Sequence, residues 1–389
     1  MKKYRLAIVG ATGIVGRTVL KVLEEKQLPI SEYVLFASAK SAGKKIRFMD
    51  RDYIVQGLNE LSFDSGFDFA IFSAGGSTSK KYAPIAASKG CIVVDNSSAF
   101  RMEPDVPLVV PEVNPEEIAN NQGIIANPNC STIQAVVPLK ALDDKYKIKR
   151  IVYSTYQAVS GAGRNGVLDL ENGIKNYITN KSYQASDYTS ADATSSVLTN
   201  NTLSGISNTQ AGESTSQIQQ SNSITTDFSI LKNNSYKLEK FDHPIFSNCL
   251  PHIDVFLDNG YSKEEEKMIN ETRKILKRPD LKITATTVRV PVFNCHSESI
   301  NVEFEKDFEL EDLINTLSEF QGIIVEDNLS ESKYPLATDV SGKDEVFVGR
   351  IRRDYSVPSG VNLWVVADNI RKGAATNAVQ IVENMLDWS

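Results

Sequence analysis

Tyr4-Arg5-Leu6-Ala7-Ile8-Val9, followed by Gly10-Ala11-Thr12-Gly13-Ile14-Val15-Gly16, decides the fold. The first six residues are nearly all apolar and do not alternate, the pattern of a parallel strand covered on both faces. Beyond the glycines, Val15, Val19, Leu20, Val22 and Leu23 recur at helical spacing. Strand, glycine-rich turn and helix in that order open a doubly wound, dinucleotide-binding sheet. Glycines let the backbone approach a pyrophosphate, and the helix N-terminus faces that anion. The spacing is G-x-x-G-x-x-G, a variant of the usual fingerprint, so the flanking strand and helix carry the inference.

Working outward, a second strand, Tyr33-Val34-Leu35-Phe36-Ala37, ends in Ser38-Ala39-Lys40-Ser41-Ala42-Gly43-Lys44. An NAD site usually places a carboxylate there for the ribose 2′-OH. Hydroxyls and cations stand here instead, and Ser38, Lys40 and Ser41 suit the 2′-phosphate of NADP. Two further strands follow, at residues 67–73 and 91–95. Gly75, Gly76, Ser98 and Arg101 fall at their carboxyl ends, where open α/β sheets bind ligands. The guanidinium of Arg101 has the planar fork for phosphate or carboxylate.

The stretch Asn127-Pro128-Asn129-Cys130-Ser131-Thr132 joins a short buried strand to a helix. Pro128 ends the strand, and Asn129 is a good helix cap. Cys130 therefore belongs at a helix N-terminus, where the macrodipole favours the thiolate. A free cysteine is as often a small buried hydrophobe, and this stretch alone leaves both readings open.

A second unit begins with the alternating strand at residues 149–160, in which Gln157 could donate an amide hydrogen bond. From 181 to 235, Ser, Thr, Asn and Gln dominate without apolar periodicity, which reads as a flexible insertion. Ser262 caps a helix on which Glu264 and Lys267 share a face. Arg289 lies in an alternating strand over residues 284–292, and His296 lies in the bend between it and the next strand, where its near-neutral titration suits acid–base work. The closing segment 361–389 is expected to return to the first unit. The expected organisation is 1–129 for nucleotide binding, completed by 361–389, and 130–360 for catalysis and dimerisation. The fold class is α/β, a Rossmann-type domain plus an α+β domain with a mixed sheet.

Composition excludes several classes. The chain has 389 residues and a formal net charge of −7, which gives no footprint for nucleic acid. No apolar run approaches a membrane span and no signal peptide is expected, so the expected location is cytoplasmic. Cys91, Cys130, Cys249 and Cys295 are scattered without metal-ligand spacing, and no metal is expected.

Taken together, these stretches resemble the aspartate-β-semialdehyde dehydrogenases. The motifs are GATGIVG (10–16), SAKSAGK (38–44), FSAGGSTSKKYAP (72–84), DNSSAFR (95–101), PNCSTIQ (128–134), STYQAVSGAG (154–163), EEEK (264–267), VRVPVFNCHSES (288–299), VGRIRRD (348–354) and DNIRKGAATN (368–377). They run in the family's order, and NCST and SAKSAGK look more like its Gram-positive branch. The resemblance implies Cys130 as nucleophile, His296 as acid–base group and Gln157 as the orienter of the acyl intermediate. It implies Arg289 on the substrate α-carboxylate and Glu264 near the amino group. Lys267 and Arg101, with Asn129 beside them, are implied on the phosphate. Implied NADP contacts are Gly10, Thr12, Gly13, Ile14, Val15, Gly16, Ser38, Lys40, Ser41, Gly75, Ser160, Gly161 and Asn369.

The implied activity is NADPH-dependent reduction of L-aspartyl-4-phosphate, in lysine, threonine and methionine biosynthesis. The implied assembly is a homodimer, with a tetramer as the alternative. Lys40 stands where the family often has Arg, Thr376 replaces a common aromatic, and residues 181–250 depart most. The competing readings are an N-acetyl-γ-glutamyl-phosphate reductase and a non-catalytic NADP-binding regulatory protein.

Overall fold

The computed structural model describes residues 4–189 and 236–387, with side chains from 181 to 189 left aside. In chain order the first part runs β1 (Tyr4–Val9), α1 (Ile14–Lys26), β2 (Ile30–Ala37), a hairpin of β3 (Lys45–Phe48) and β4 (Arg51–Ile54), and β5 (Gln56–Gly57). It continues through β6 (Phe69–Phe72), α2 (Gly76–Ser88), β7 (Ile92–Asp95), β8 (Ile124–Ala126) and α3 (Cys130–Tyr146). Six strands form one parallel sheet in the order β5-β2-β1-β6-β7-β8. The unbroken apolar run of β1 has its explanation here. Leu6 and Ile8 pack on Val19, Leu20 and Leu23 of α1, while Ala7 and Val9 pack on the opposite face with Ala83 and Ala86 of α2. The expected Rossmann-type sheet is present.

The second part comprises β9 (Ile148–Gln157), α4 (Gly163–Thr189), α5 (Lys263–Ile275), β10 (Lys282–Arg289), β11 (His296–Phe304) and α6 (Leu310–Glu319). It closes with β12 (Ile323–Val325), α7 (Ala337–Val340), β13 (Val346–Asp354), β14 (Gly360–Ala367) and α8 (Asn377–Asp387). Its sheet is mixed, in the order β10-β9-β11-β14-β13-β12. β10 runs parallel to β9, and β11 runs antiparallel to both β9 and β14. One face is covered by α3, α5 and α6, whose Ile133, Val137, Met268, Ile269, Leu313 and Leu317 share a core with the strands.

Two boundaries differ from expectation. Residues 361–367 do not return to the first unit: β14 is an internal strand of the mixed sheet, with Val361, Leu363 and Val365 in its core. The return begins only after Asp368, and Ala378, Val379 and Val382 of α8 pack on the first sheet beside α1. Helix α4 also continues to Thr189, into the stretch read as an insertion from 181. The remainder of that stretch, 190–235, lies outside the described residues. Among the described residues, no helix is long and apolar enough to cross a membrane, and no His, Cys, Asp or Glu cluster suits a metal.

Candidate active site

The carboxyl ends of the first sheet's strands and the facing ends of β9 and β10 enclose a cleft of about 1050 Å³. Cys130 is the first residue of α3 and is partly exposed in that cleft. Pro128 intervenes after β8, and Asn129 takes extended backbone angles (φ −60°, ψ 143°), so the chain turns into the helix at the expected cap. The Asn129 Oδ1 accepts from the Ser131 and Thr132 N–H groups at 3.0 and 3.3 Å. The helix terminus alone does not acidify the thiol, contrary to the local expectation. Burial, and then the charge of Glu264, push it up to about 12, against the smaller opposing pull of Arg289 and Arg101.

Helix α5 supplies a second wall, and its start is fixed on both sides. Ser262 Oγ accepts the Glu265 N–H while Glu265 Oε2 accepts the Ser262 N–H at 2.6 Å, a capping box worth about 1 kcal/mol. The other Glu265 oxygen accepts the Thr287 N–H at 3.0 Å, tying α5 to β10 just before Arg289. Glu264 is thereby carried inward, not onto the surface. Its Oε1 accepts from Asn129 Nδ2 at 2.8 Å and from Gln157 Nε2 at 3.3 Å, and its Oε2 meets Lys267 Nζ at 3.1 Å. Burial opposes ionisation of Glu264, but Lys267 and the Asn129 bond outweigh it and hold the carboxyl below its ordinary value. Lys267 also reaches Asp254 at 2.7 Å.

Arg101 is buried, not solvated. Its Nε donates to Asn127 O, its Nη1 to Glu271 Oε1 and its Nη2 to Asn96 O, at 2.9, 3.0 and 2.9 Å. An arginine has five N–H donors, so these bonds fix the guanidinium plane and leave donors for an anion in the cleft. Arg289, at the end of β10, gives Nη1 to Ala158 O at 2.7 Å, and its buried Nε has no partner among the described residues.

His296 is fully buried at the start of β11. Its Nδ1 accepts the Ala158 N–H at 3.0 Å, so the neutral ring carries its proton on Nε2. Nε2 has no partner among the described residues. A Cβ on cleft-lining Gly161 would come 3.1 Å from it, which places the ring directly behind the Gly161 backbone. Burial, reinforced by Arg289, holds the imidazole well below its ordinary titration range.

On the side of the first sheet, Thr12, Gly13, Ile14 and Val15 line the cleft at the open N-terminus of α1. Gly10 (φ 91°) and Gly16 lie beneath the turn. A Cβ on Gly10 would fall 2.2 Å from Ser73 O, and one on Gly16 would fall 2.1 Å from Gly10 O. Gly75 is the exposed cap of α2, and Lys40 is exposed beyond β2 with Ser38 and Ser41 beside it. Ser160 and Asn369 line the far side and bond each other at 3.0 Å; Asn369 Oδ1 also accepts the Cys295 N–H at 2.9 Å. Thus Cys130, Asn129, Arg101, Gln157, Glu264, Lys267 and Arg289 converge on one cleft, whereas His296, Gly10, Gly16, Ser38, Lys40, Ser41 and Gly75 stand outside its lining, His296 behind Gly161.

Sequence reasoning missed two residues. Glu271 bonds both Arg101 and the Asn129 N–H. Its signal was its place among Met268, Thr272 and Ile275 on the buried stripe of α5. Gly373 backs Cys130: a Cβ there would lie 2.9 Å from the Cys130 Cβ.

Two family models match the chain: the semialdehyde dehydrogenase NAD binding domain over residues 5–121 and the semialdehyde dehydrogenase dimerisation domain over residues 139–372. The chain is 49% identical to the aspartate-semialdehyde dehydrogenase of Aquifex aeolicus, with 98% of this chain and 97% of that one covered. It is 42% identical to the aspartate-semialdehyde dehydrogenase of Bacillus subtilis, with 98% and 96% covered. The crystal structure of aspartate semialdehyde dehydrogenase II from Vibrio cholerae, complexed with ASA, superposes with a TM-score of 0.82 at 41% identity. That match covers 100% of this chain and 99% of the other.

Proposed function

The chain belongs to the aspartate-semialdehyde dehydrogenase family, and from that premise we propose how its residues interconvert L-aspartyl-4-phosphate and L-aspartate 4-semialdehyde with NADP as the cofactor. The observation that carries the reading is the convergence of Cys130, at the start of α3, with two cation-bearing subsites and one buried carboxylate in a single cleft.

The turn at residues 10–16 fits a dinucleotide pyrophosphate, because Gly10 and Gly16 have no room for side chains and the first turn of α1 opens on the cleft. Ser38, Lys40 and Ser41 would hold the 2′-phosphate, and Gly75, Ser160, Gly161 and Asn369 would border the remainder. When bound, NADPH supplies the hydride that turns a thioester into a hemithioacetal alkoxide.

In the reductive direction the Cys130 sulfur attacks the acyl carbon, the bond to phosphate oxygen breaks, and phosphate leaves with the bonding pair and takes up the proton that the thiol gives up. Arg101 and Lys267 receive that phosphate. Arg289 holds the α-carboxylate, and Glu264 pairs with the α-ammonium. That pairing cancels the charge which, after burial, most strongly keeps the thiol protonated, so the substrate assists formation of its own nucleophile. Gln157 donates to the acyl oxygen. His296 presents its Nε2–H to the alkoxide, which then collapses to aldehyde and thiolate. The Ala158 N–H on Nδ1 favours the donor half of the acid–base role, because an imidazolium would set its Nδ1–H against that N–H. Covalent catalysis divides one difficult transfer into two easier ones.

The ionised Glu264 suits a free ammonium better than an acetamide, which favours this substrate over N-acetyl-γ-glutamyl phosphate. Residues 1–129 with α8 form the nucleotide-binding part of this reading, 130–367 the catalytic and dimerising part, and the assembly is a homodimer. The test is NADPH formation from L-aspartate 4-semialdehyde with and without inorganic phosphate. Turnover that requires both NADP and phosphate is expected; turnover indifferent to phosphate would overturn the acyl-phosphate route.

A further inference from the structure

Glu271 is 1% exposed, and its two carboxylate oxygens face two different donors. Oε1 accepts from Arg101 Nη1 at 3.0 Å, and Oε2 accepts the Asn129 N–H at 2.6 Å. The first donor belongs to the guanidinium on the phosphate side of the cleft. The second is the backbone of the residue that caps α3 and immediately precedes Cys130. Glu264, two turns earlier on the same face of α5, holds the other end of Asn129 through its side-chain amide at 2.8 Å. Lys274, one turn after Glu271, donates to the carbonyls of Arg101, Glu103 and Val106 at 2.9, 2.8 and 2.8 Å, which fixes the loop that carries Arg101.

We propose that Glu271 is a positioning residue that locks the phosphate-gripping guanidinium of Arg101 to the backbone beside the nucleophile, so that phosphate and sulfur meet at a fixed spacing. The inference rests on the reading given above and deepens it at the phosphate subsite. Attack in the oxidative direction requires a phosphate oxygen to reach the thioester carbon at Cys130, and such near-attack geometry is sensitive to small displacements. Only a carboxylate serves here. A glutamine offers one acceptor and one NH₂, and either orientation turns a donor against an existing N–H.

The experiment compares wild type with Glu271→Gln in phosphate-dependent oxidation of L-aspartate 4-semialdehyde. The expected result is a ~10–100-fold rise in KM for phosphate, the size of one charge-assisted hydrogen bond. KM for the semialdehyde should change by less than about threefold, since Arg289 and Glu264 are untouched. A purely structural role would lower the melting temperature and leave the phosphate KM at the wild-type value, and that result overturns the proposal. If the glutamine variant does not fold, Glu271→Asp keeps the charge but is one methylene too short to reach both donors. The same rise or constancy in phosphate KM then decides. Wild-type protein without phosphate-dependent turnover sinks the underlying reading and this inference with it. Wild-type turnover with an unchanged variant sinks this inference alone.

Discussion

Two buried charge clusters lie on either side of Gly373, and they are built to opposite rules. The cluster at the cleft of Cys130 is open: Arg289 Nε is buried without a partner among the described residues, Arg101 keeps donors free, and His296 Nε2, behind the cleft-lining Gly161, is likewise unpartnered. The cluster in the π-helical turn Arg371–Thr376 is closed. Lys372 gives its three ammonium protons to Glu112, Asn377 and Gln380 at 2.6, 3.2 and 2.9 Å. Arg371 forks onto Glu25 of α1 and onto Asp344, which also accepts from Thr376. Burial works against ionisation of Glu112, yet Lys372 holds it below the ordinary carboxylate range. A charge whose donors are all matched inside the protein supports the fold. A charge with donors to spare is reserved for something that arrives.

That contrast breaks if mutations on the two sides behave alike. The largest effect is expected at His296. Replacing it with Asn removes the Nε2 donor and should lower turnover by ~10²–10⁴-fold, read from steady-state NADPH kinetics, with little change in KM. Next is Gly373→Ala. Its methyl would press within 2.9 Å of the Cys130 Cβ, and a nucleophile displaced by a fraction of an ångström should lose about 10²-fold in kcat. On the closed side, Lys372→Met leaves Glu112 buried without its cation. A loss of roughly 3–5 kcal/mol in urea unfolding is expected, with kcat of the folded fraction within about threefold of wild type.

The smallest effect is in the pH dependence of stability. His296 is held below its ordinary value, so between that lowered value and about pH 6.5 the unfolded chain binds a proton that the folded chain does not. Its contribution is therefore fully present above about pH 6.5 and is lost as pH falls, by at most about 1.4 kcal/mol per unit. His296→Asn should flatten that acid slope; an unchanged slope would show that the ring is not held neutral.

Much of the fold was written locally. The unbroken apolar β1, the glycine turn, the Asn129 cap and the Ser262 cap each depend on residues a few positions apart, and each appears where the sequence implies it. What escaped were pairings across long separations. Nothing in the local sequence of Asp368-Asn369-Ile370-Arg371-Lys372 says that Arg371 and Lys372 are buried, because their partners come from positions 25, 112 and 344. Residues 361–367 are expected from the sequence to return to the first unit, yet they form an internal strand of the mixed sheet, because the pairing partners are set by β11 and β13 and not by the local sequence. The thiol shows the same limit: the helix terminus is a local argument for acidity, and burial with Glu264, 134 positions away, reverses it.

The central claim is that the open cluster works through an acyl group on Cys130. The direct measurement is to supply L-aspartate 4-semialdehyde and NADP without phosphate, quench in acid, and locate any adduct by peptide mass spectrometry. The account predicts an aspartyl thioester on the peptide that contains Cys130, discharged when phosphate is added before the quench. Turnover with no adduct at Cys130, or an adduct confined to the exposed Cys249, would contradict it.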